Sequence, residues 1–155
     1  MKEFIGTPDF TSTAVGAAGE KRNMLAEWLD LDAGCHAATG VFLQTSHCVF
    51  PVKQADLAKA MLLGASLERS ALFPDGTCTM LLQFVDRTAI KAYCYKNGSF
   101  PVYRRESACA AACVAHRLGM IDHFCMVELD DVTVLVEITE KEEVFIHSEV
   151  FLQSA

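Results

Sequence analysis

Short runs of alternating apolar and polar residues recur along the chain and predict β-strands. The pattern is clearest over 132–138, where four aliphatic residues point to one side of an extended backbone while Thr133 and Glu137 point to the other. The connection at 86–88 predicts a hairpin between the two strands that flank it. The seven predicted strands are 37–43, 47–52, 80–85, 89–95, 125–129, 132–138 and 144–147.

A helix predicted over 106–118 is apolar on every side. Its interior, 108–115, contains only alanine, cysteine and valine. A helix without a polar face is normally surrounded by protein, and side chains this small suit a narrow space such as the inside of a strongly curved sheet. Ser107 is the predicted N-cap, and Gly119 is the residue predicted to end the helix.

Two further helices are predicted upstream. The segment 53–69 has helical spacing, with Leu57, Met61 and Leu62 on its predicted apolar side, and the segment 20–28 is a weaker helix. Together the elements predict an α+β fold: a curved, mostly antiparallel sheet or barrel of about seven strands wrapped around one buried helix. We expect residues 1–155 to form one such lobe.

The composition favours a globular protein with little affinity for nucleic acids or membranes. Of the 155 residues, 52% are hydrophobic and 21% are charged, which suffices to build a core. The net charge is −7, and the longest run of basic residues is a pair such as Arg104-Arg105. Both features argue against nucleic acid or anionic lipid as a partner. No apolar run approaches a bilayer span and the N-terminus lacks a signal-peptide core, so we expect a cytoplasmic protein.

The seven cysteines include no CxxC pair. In a chain without a secretion signal we expect no disulfide framework. Cys109 and Cys113 are four residues apart and could ligate a metal from one helix face, but two thiols packed in a core are favoured because free cysteine is among the most buried residue types. We expect no metal and, since no phosphate-binding or dinucleotide-binding glycine motif is present, no cofactor.

Several segments, in the same order and at similar spacing, together resemble the C-terminal half of the diaminopimelate epimerase family. The matching segments are Gly6-Thr7-Pro8-Asp9-Phe10, Ser46-His47-Cys48-Val49-Phe50, Phe73-Pro74-Asp75-Gly76-Thr77, Val85-Asp86-Arg87, Ser107-Ala108-Cys109-Ala110-Ala111, Arg117-Leu118-Gly119-Met120-Ile121-Asp122 and Val127-Glu128-Leu129. The resemblance implies one lobe of a fold in which two similar lobes, each a curved sheet around a helix, hold the substrate between them.

The resemblance also implies a chemistry, the inversion of an amino-acid α-carbon without a cofactor. One cysteine removes the α-proton and a second returns a proton on the opposite face, so two opposed groups are required. At the position matched to the catalytic cysteine this chain has Arg104, which is no base near neutral pH because its pKa exceeds ~12. Arg105 and Ser107 replace two glycines of the motif, and only His47 persists, as a vestige of the pocket or as a structural residue. The resemblance therefore implies no catalytic residue here.

A candidate anion site remains at the start of the predicted buried helix. Arg104, Arg105, Ser107 and Ala108 stand where backbone N–H groups and the helix dipole favour negative charge. The alternative is a pair of solvated arginines bound to nearby acids such as Glu106.

Three hypotheses of function follow; one of them is a small-molecule binding module that holds an anion at the turn formed by 104–108. In the first of the other two, the chain is a catalytically degenerate, single-lobe relative of diaminopimelate epimerase, from a lineage of amino-acid isomerases and lysine biosynthesis, that serves as a non-catalytic binding or assembly protein. In the second, it is one subunit of a split or altered epimerase or racemase whose other lobe comes from a partner chain. We also expect a homodimer, because a mean hydropathy of +0.24 indicates that the surface facing a sister lobe has not become polar.

Overall fold

The computed structural model describes residues 2–99 and 103–151, and in these ranges it has nine strands and three helices. The strands are β1 (Glu3–Gly6), β2 (Glu27–Leu31), β3 (Gly34–Leu43), β4 (Thr45–Val52), β5 (Cys78–Asp86), β6 (Ala89–Tyr95), β7 (Phe124–Leu129), β8 (Val132–Ile138) and β9 (Val144–Phe151). The helices are α1 (Ser12–Val15), α2 (Leu57–Arg69) and α3 (Arg105–Arg117). All strands lie in one sheet of order β1-β9-β8-β7-β6-β5-β4-β3-β2.

The sheet curves around α3, as the small apolar side chains of this helix predicted. Strands β3 to β9 all contact α3, and its residues 107–115 are buried. Asp9, just after β1, pairs with Phe42 of β3 through backbone hydrogen bonds of 3.0 and 2.8 Å, which draws the β1 end of the sheet towards β3. Neighbouring strands are antiparallel except for β4–β5 and β6–β7, so the predicted α+β class and the mostly antiparallel sheet are confirmed.

The carboxyl end of α3 is closed by its own backbone. Gly119 has a φ of +75°, a left-handed conformation that glycine adopts without a steric penalty. Its N–H donates to the carbonyl of His116 at 3.0 Å, and the N–H of Met120 donates to the carbonyl of Ala115 at 2.8 Å. This pair of bonds is the Schellman arrangement, and it satisfies carbonyls that the helix leaves free. The predicted role of Gly119 is confirmed.

Helix α2 packs on the outside of the sheet, against β5 and β6. It begins at Leu57 rather than at Lys53, because the Asp56 side chain accepts a backbone N–H of the first turn. The predicted apolar face is wrong: Leu57, Met61 and Leu62 are 53%, 51% and 57% exposed. The other face meets the sheet because it includes small residues that allow a close approach. Its buried residues are Ala60, Leu63, Gly64, Ser66 and Leu67.

The predicted helix over 20–28 is wrong. Residues Glu27–Leu31 form β2, in which Trp28 is exposed and Leu29 is buried, so the side chains follow the two-residue period of a strand. Ala26, at a φ of +45°, turns the backbone out of a helical path just before β2. With β1 and β2 added, the sheet has nine strands in the described part of the chain instead of about seven.

The cysteines follow two different patterns. Cys109 and Cys113 are buried in α3, as predicted. Cys78 and Cys94, in contrast, are joined by a disulfide, so the expectation of no disulfide framework does not hold for this pair. Adjacent antiparallel strands place the two Cα atoms 6.5 Å apart, a separation that a disulfide can span. The pairing depends on the register of the β5–β6 hairpin, which the cysteine spacing did not indicate.

In the described residues, no helix combines the length and the apolar character needed to cross a membrane.

Candidate functional site

A cavity of about 230 Å³ opens at the amino end of α3. Its walls come from the first turn of α3, from β6 and β7, from the turn between β7 and β8, and from Leu57 of α2. A smaller recess of about 30 Å³ shares Cys94, Arg104 and Ser107 with the cavity. A volume below the ~300–1,000 Å³ of drug-sized pockets suits a small metabolite.

Charged side chains of both signs line this cavity. The cations are Lys91 and Arg104, and the carboxylates are Glu128, Asp130 and Asp131. Lys91 and Glu128 face each other on β6 and β7, with Nζ and Oε2 4.0 Å apart. The exposed Arg104 guanidinium has no ion pair or hydrogen bond with any other residue that the structure describes. The cavity therefore offers an available cation next to carboxylates, which suits a small ligand that carries both charges.

The turn between β7 and β8 places two carboxylates at the edge of the cavity. Asp130 and Asp131 have φ values of 50° and 62°, the left-handed conformation that a two-residue hairpin turn of type I′ requires at both positions. Aspartate tolerates this conformation better than most residues. The Asp130 carboxylate accepts a hydrogen bond from the backbone N–H of Tyr103 at 3.0 Å. Because Tyr103 immediately precedes the N-cap residue of α3, this bond holds the turn next to the start of the helix.

Asp130 and Asp131 were missed by the sequence analysis. Two aspartates between the strands predicted at 125–129 and 132–138 do indicate a tight hairpin. That this hairpin meets the start of α3 depends on the curvature of the sheet.

Arg105, part of the predicted anion site, points to the sheet instead of the cavity. Its guanidinium hydrogen-bonds to Glu3 on β1, and its Nε lies 3.2 Å from Oε1 of Glu149 on β9, close enough for an ion pair but not aligned as a hydrogen bond. The Tyr103 hydroxyl donates to Glu149 at 2.7 Å. The hydrogen bond from Arg105 lowers the pKa of Glu3. Arg105 therefore ties α3 to β1 and β9, through acids other than Glu106.

The remaining residues of the predicted anion site divide between the cavity and the core. Arg104 is the N-cap residue of α3, so the prediction of Ser107 as the N-cap is wrong. Both Arg104 and Ser107 line the cavity, whereas Ala108 is fully buried among the core residues of α3. Of the four predicted residues, the structure brings two to the cavity.

His47 lies on β4, behind the cavity wall and fully buried. Its Nε2 is 3.1 Å from the Ser107 hydroxyl and 3.5 Å from that of Thr45. Burial lowers the pKa of His47 to about 4, and the positive charges of Lys96 and Arg104 act in the same direction. Backbone groups of Thr45 and Val41 near the ring raise the pKa and partly oppose this shift. The ring Nδ1 has no hydrogen-bond partner among the described residues. At neutral pH His47 is an uncharged group that positions Ser107.

No free thiol in the described residues lines the cavity. Cys78 and Cys94, which line the recess, form the disulfide. Burial raises the pKa of the other buried thiols, to about 12 for Cys109 and Cys125. Cys35 is exposed but belongs to the β2–β3 hairpin. Within the described ranges, no three His, Cys, Asp or Glu side chains are grouped so that they could hold a metal ion.

The fold and the cavity together define a class of protein: an α+β lobe in which a curved sheet encloses a helix and a small charged cavity opens at the amino end of that helix. Comparison with known proteins narrows the class. The diaminopimelate epimerase 2 of a Nostoc species is 26% identical over 137 residues, which are 88% of this chain and 48% of that protein. The diaminopimelate epimerase of Caldanaerobacter subterraneus subsp. tengcongensis is 24% identical over 151 residues, 97% of this chain and 55% of that protein.

A third relative, the diaminopimelate epimerase of Albidiferax ferrireducens, is 31% identical over 115 residues, 70% of this chain and 40% of that protein. No family model matches the sequence. The similarities nevertheless cover most of the chain, which therefore belongs to a diaminopimelate epimerase-like family, as the resemblance implied. The chain spans about half the length of the curated relatives it matches.

Proposed function

We propose that this lobe is catalytically degenerate and serves as a non-catalytic binding lobe for a small ligand with a carboxylate. One observation carries the proposal: at the edge of the cavity, where the resemblance places the catalytic cysteine, the chain has Arg104. A guanidinium keeps its proton at any pH at which the protein is folded. It can bind and orient a carboxylate, but it cannot remove a proton from carbon.

The groups around Arg104 support the absence of proton transfer. A general base must reach the proton that it removes and must have a pKa near the working pH. His47 fails both conditions, because it is fully buried behind Ser107 and its pKa is lowered to about 4. Cys94 reaches the cavity, but its sulfur is held in the disulfide with Cys78.

The charges of the cavity support an amino-acid-like ligand. A carboxylate placed between Arg104 and Ser107 meets the Arg104 guanidinium and the amino end of α3, where the helix dipole favours negative charge. An ammonium group on the other side of the cavity meets Asp130 and Asp131. A single anion lacks a partner for these carboxylates, so a ligand with both charges fits better.

The alternative is that the chain contributes to a working epimerase or racemase whose acid–base groups come from another lobe. Its support is that the chain spans about half the length of relatives named diaminopimelate epimerase. Inversion requires groups on opposite sides of the α-carbon, and an opening at the end of α3 leaves room for a second lobe. A cytoplasmic location and a role in the lysine-biosynthesis lineage remain predictions under either proposal.

A proton-exchange experiment tests the absence of chemistry. Diaminopimelate is incubated with the chain in deuterated water, with and without a dithiol reductant, and its α-protons are followed by NMR. We expect no exchange above a control without protein. Exchange that disappears after thiol alkylation would contradict a non-catalytic lobe and favour the alternative.

Calorimetry with diaminopimelate as the probe tests binding. We expect Arg104→Ala to weaken binding by roughly tenfold or more, because a hydrogen bond to a charged group is lost. Arg69→Ala is the matched control: Arg69 is also exposed, but it pairs with Asp32 away from the cavity, and its loss should leave binding unchanged. Equal losses in the two variants, or no binding by the wild type, would contradict the ligand proposal.

A further inference from the structure

The disulfide between Cys78 and Cys94 lies where the cavity and the smaller recess meet. Cys94 lines both the cavity and the recess, whereas Cys78 lines the recess and not the cavity. The two residues are 7% and 8% exposed, and both belong to the core inside the sheet. The disulfide is therefore enclosed on most sides but borders the cavity at Cys94, so a small molecule that enters the cavity meets Cys94 before Cys78.

Positive charge surrounds this disulfide. Besides the two cysteines, the recess is lined by Lys96, Arg104 and two hydroxyl residues, and no carboxylate lines it in the described part of the chain. Burial and, in addition, the charges of Lys96 and Arg104 lower the pKa of His47, so these charges act deep inside the lobe. The recess is thus a positive region in a chain whose net charge is −7, and it attracts anions.

The acidic side chains of the cavity lie at its other end. Glu128 faces Lys91, with Oε2 and Nζ 4.0 Å apart, and Asp130 accepts the hydrogen bond from the Tyr103 backbone. These two carboxylates and that of Asp131 line the cavity but not the recess. A molecule with a carboxylate near the disulfide and an ammonium group near the β7–β8 turn matches this distribution of charge.

The other cysteines lack this combination of access and positive charge. Thiol–disulfide exchange requires a thiolate, and nearby cations favour both the attacking and the leaving thiolate. Cys109 and Cys125 are buried, and burial raises the pKa of each to about 12. Cys35 is exposed, but its Sγ lies 3.6 Å from a carboxylate oxygen of Asp30, which disfavours an anionic reagent. The disulfide at the cavity is therefore the favoured site for exchange with an anionic thiol.

We propose that Cys94 is a modification site at which a small thiol amino acid forms a mixed disulfide inside the cavity. The thiolate of the incoming molecule attacks the sulfur of Cys94, and a new S–S bond forms between them. The bond between Cys94 and Cys78 breaks, and its electron pair stays on Cys78, which leaves as a thiolate beside Lys96 and Arg104. The proton that the incoming thiol released returns to Cys78, so one disulfide replaces another without net oxidation or reduction.

This step goes beyond the proposed function. It requires entry to the cavity and a carboxylate on the thiol, but not the reversible binding of diaminopimelate. Because the adduct lies next to Arg104, it also occupies the space proposed for the ligand.

Exchange with cysteine and with cysteamine tests the proposal, because the two probes differ only in the carboxylate. The oxidised Cys35→Ser protein, which lacks the exposed thiol, is mixed with each probe, quenched with acid and analysed by mass spectrometry. After correction for the thiolate fraction of each probe, we expect cysteine to open the disulfide roughly tenfold faster, since charge attraction raises encounter rates by about 10–10³-fold. Lys96→Gln should reduce this ratio. Lys53→Gln is the matched control, because it removes the same charge from an exposed residue outside the cavity.

A second variant traps the product. In the wild type the Cys78 thiolate can attack the mixed disulfide and restore the original bond, whereas Cys78→Ser cannot. In that variant the Cys94 thiolate attacks cystine, forms the mixed disulfide and releases one molecule of cysteine. We expect the adduct on Cys94 to form roughly tenfold faster than an adduct on Cys78 in the reciprocal Cys94→Ser protein, because a recess of about 30 Å³ has room for little more than a water molecule.

Each outcome decides the matter. A faster reaction with cysteine that depends on Lys96, together with an adduct on Cys94, supports the proposal. Equal rates for the two probes overturn it, as do equal effects of Lys53→Gln and Lys96→Gln or an adduct found on Cys78 instead. Circular dichroism shows whether each variant is folded, and if Cys78→Ser is not, the ratio of the two probes in the oxidised protein decides. Calorimetry with diaminopimelate separates the two proposals: its failure beside a preserved preference for cysteine would contradict the proposed function and leave the modification site standing.

Discussion

The two long helices of this lobe lie on opposite sides of one sheet, and their side chains are buried to different extents. Helix α3 lies inside the curve and is buried along residues 107–115, so its side chains must be small. Helix α2 lies outside and buries one face only, so Met61 and Leu62 can remain exposed. The comparison shows that a position inside a curved sheet limits side-chain volume on all sides, whereas a position outside limits it on one.

The two sides also differ in what they do. The amino end of α3 carries Arg104 and Ser107 to the cavity, and the groups behind them, His47 and the disulfide, belong to the inner side of the sheet. On the outer side, α2 contacts the sheet through side-chain packing, with Gly64 against the Tyr95 ring. Changes on the inner side should therefore affect both stability and the cavity, and changes on the outer side mainly stability.

The largest effect is expected from enlarging a side chain inside the sheet. Ala111→Leu adds three carbon atoms at a fully buried position of α3, and we expect a loss of about 3 kcal/mol or more of unfolding free energy, because strands on several sides prevent relaxation. Ala58→Leu, at an exposed position of α2, should change stability by no more than about 0.5 kcal/mol. Urea unfolding measures both, and similar values would remove the distinction between the helices.

Loss of the disulfide on the inner side should cost nearly as much. Cys78 and Cys94 are 16 residues apart, and closing a loop of that length contributes about 3 kcal/mol in the chain-entropy account. Unfolding with and without a dithiol reductant should differ by that amount in the wild type but not in a Cys78→Ala/Cys94→Ala variant. Alkylation under denaturing conditions should label five thiols before reduction and seven after it; seven labelled thiols without reduction would contradict the pairing.

Acid should destabilise the inner side through His47. Its pKa is about 4 in the folded chain and about 6.5 when unfolded, so the unfolded state binds more protons between these values. The stability contributed by neutral His47 is complete above pH 6.5 and declines as the pH falls towards 4, by a loss on the order of 2–3 kcal/mol between pH 7.5 and 4.5. His47→Gln should remove this part of the pH dependence, since glutamine does not titrate. Unfolding curves that fall equally with pH in both proteins would contradict a buried neutral histidine.

The smallest effect is expected at the contact of α2 with the sheet. A methyl group on Gly64 would lie 2.0 Å from the Tyr95 ring, so Gly64→Ala forces the helix away from β6. Alanine recovers up to ~1 kcal/mol of helix propensity, which leaves a net loss of about 1–2 kcal/mol. Thermal unfolding measures it, and a Tyr95→Leu background, which shortens the opposing side chain, should reduce the loss. A stabilised Gly64→Ala protein would show that α2 packs less closely than described.

Local patterns predicted most of the sheet and the buried helix. The strand at 132–138 has the predicted bounds, because its alternation is strict and one face is fully apolar. The helix at 106–118 differs from α3 by one residue at each end, because eight consecutive small apolar residues permit few other structures. The segment 20–28 failed because a helical pattern was assigned across a turn at Ala26 and the start of a strand.

The site was less accessible to sequence analysis than the fold. Arg104 and Ser107 were found because a family motif and a helix start coincide there. Arg105 was included for the same reason, but its side chain pairs with Glu3, which is 102 residues away in the sequence. Asp130 reaches the cavity because β7 is a parallel neighbour of β6, a relation that no local pattern contains.

The sequence by itself determined the type of the main elements from residue 37 onwards and the small size of the side chains in α3, because side-chain periodicity and volume are local properties. Only the tertiary structure decided which face of α2 meets the sheet, which two cysteines pair, and which charged groups share the cavity. The exposed stripe of Leu57, Met61 and Leu62 shows the reason. Hydrophobicity indicates which residues gain from burial, but shape and available space determine which of them are buried. In α2 the face that contains Gly64 packs on the sheet, because Gly64 leaves room for the Tyr95 ring.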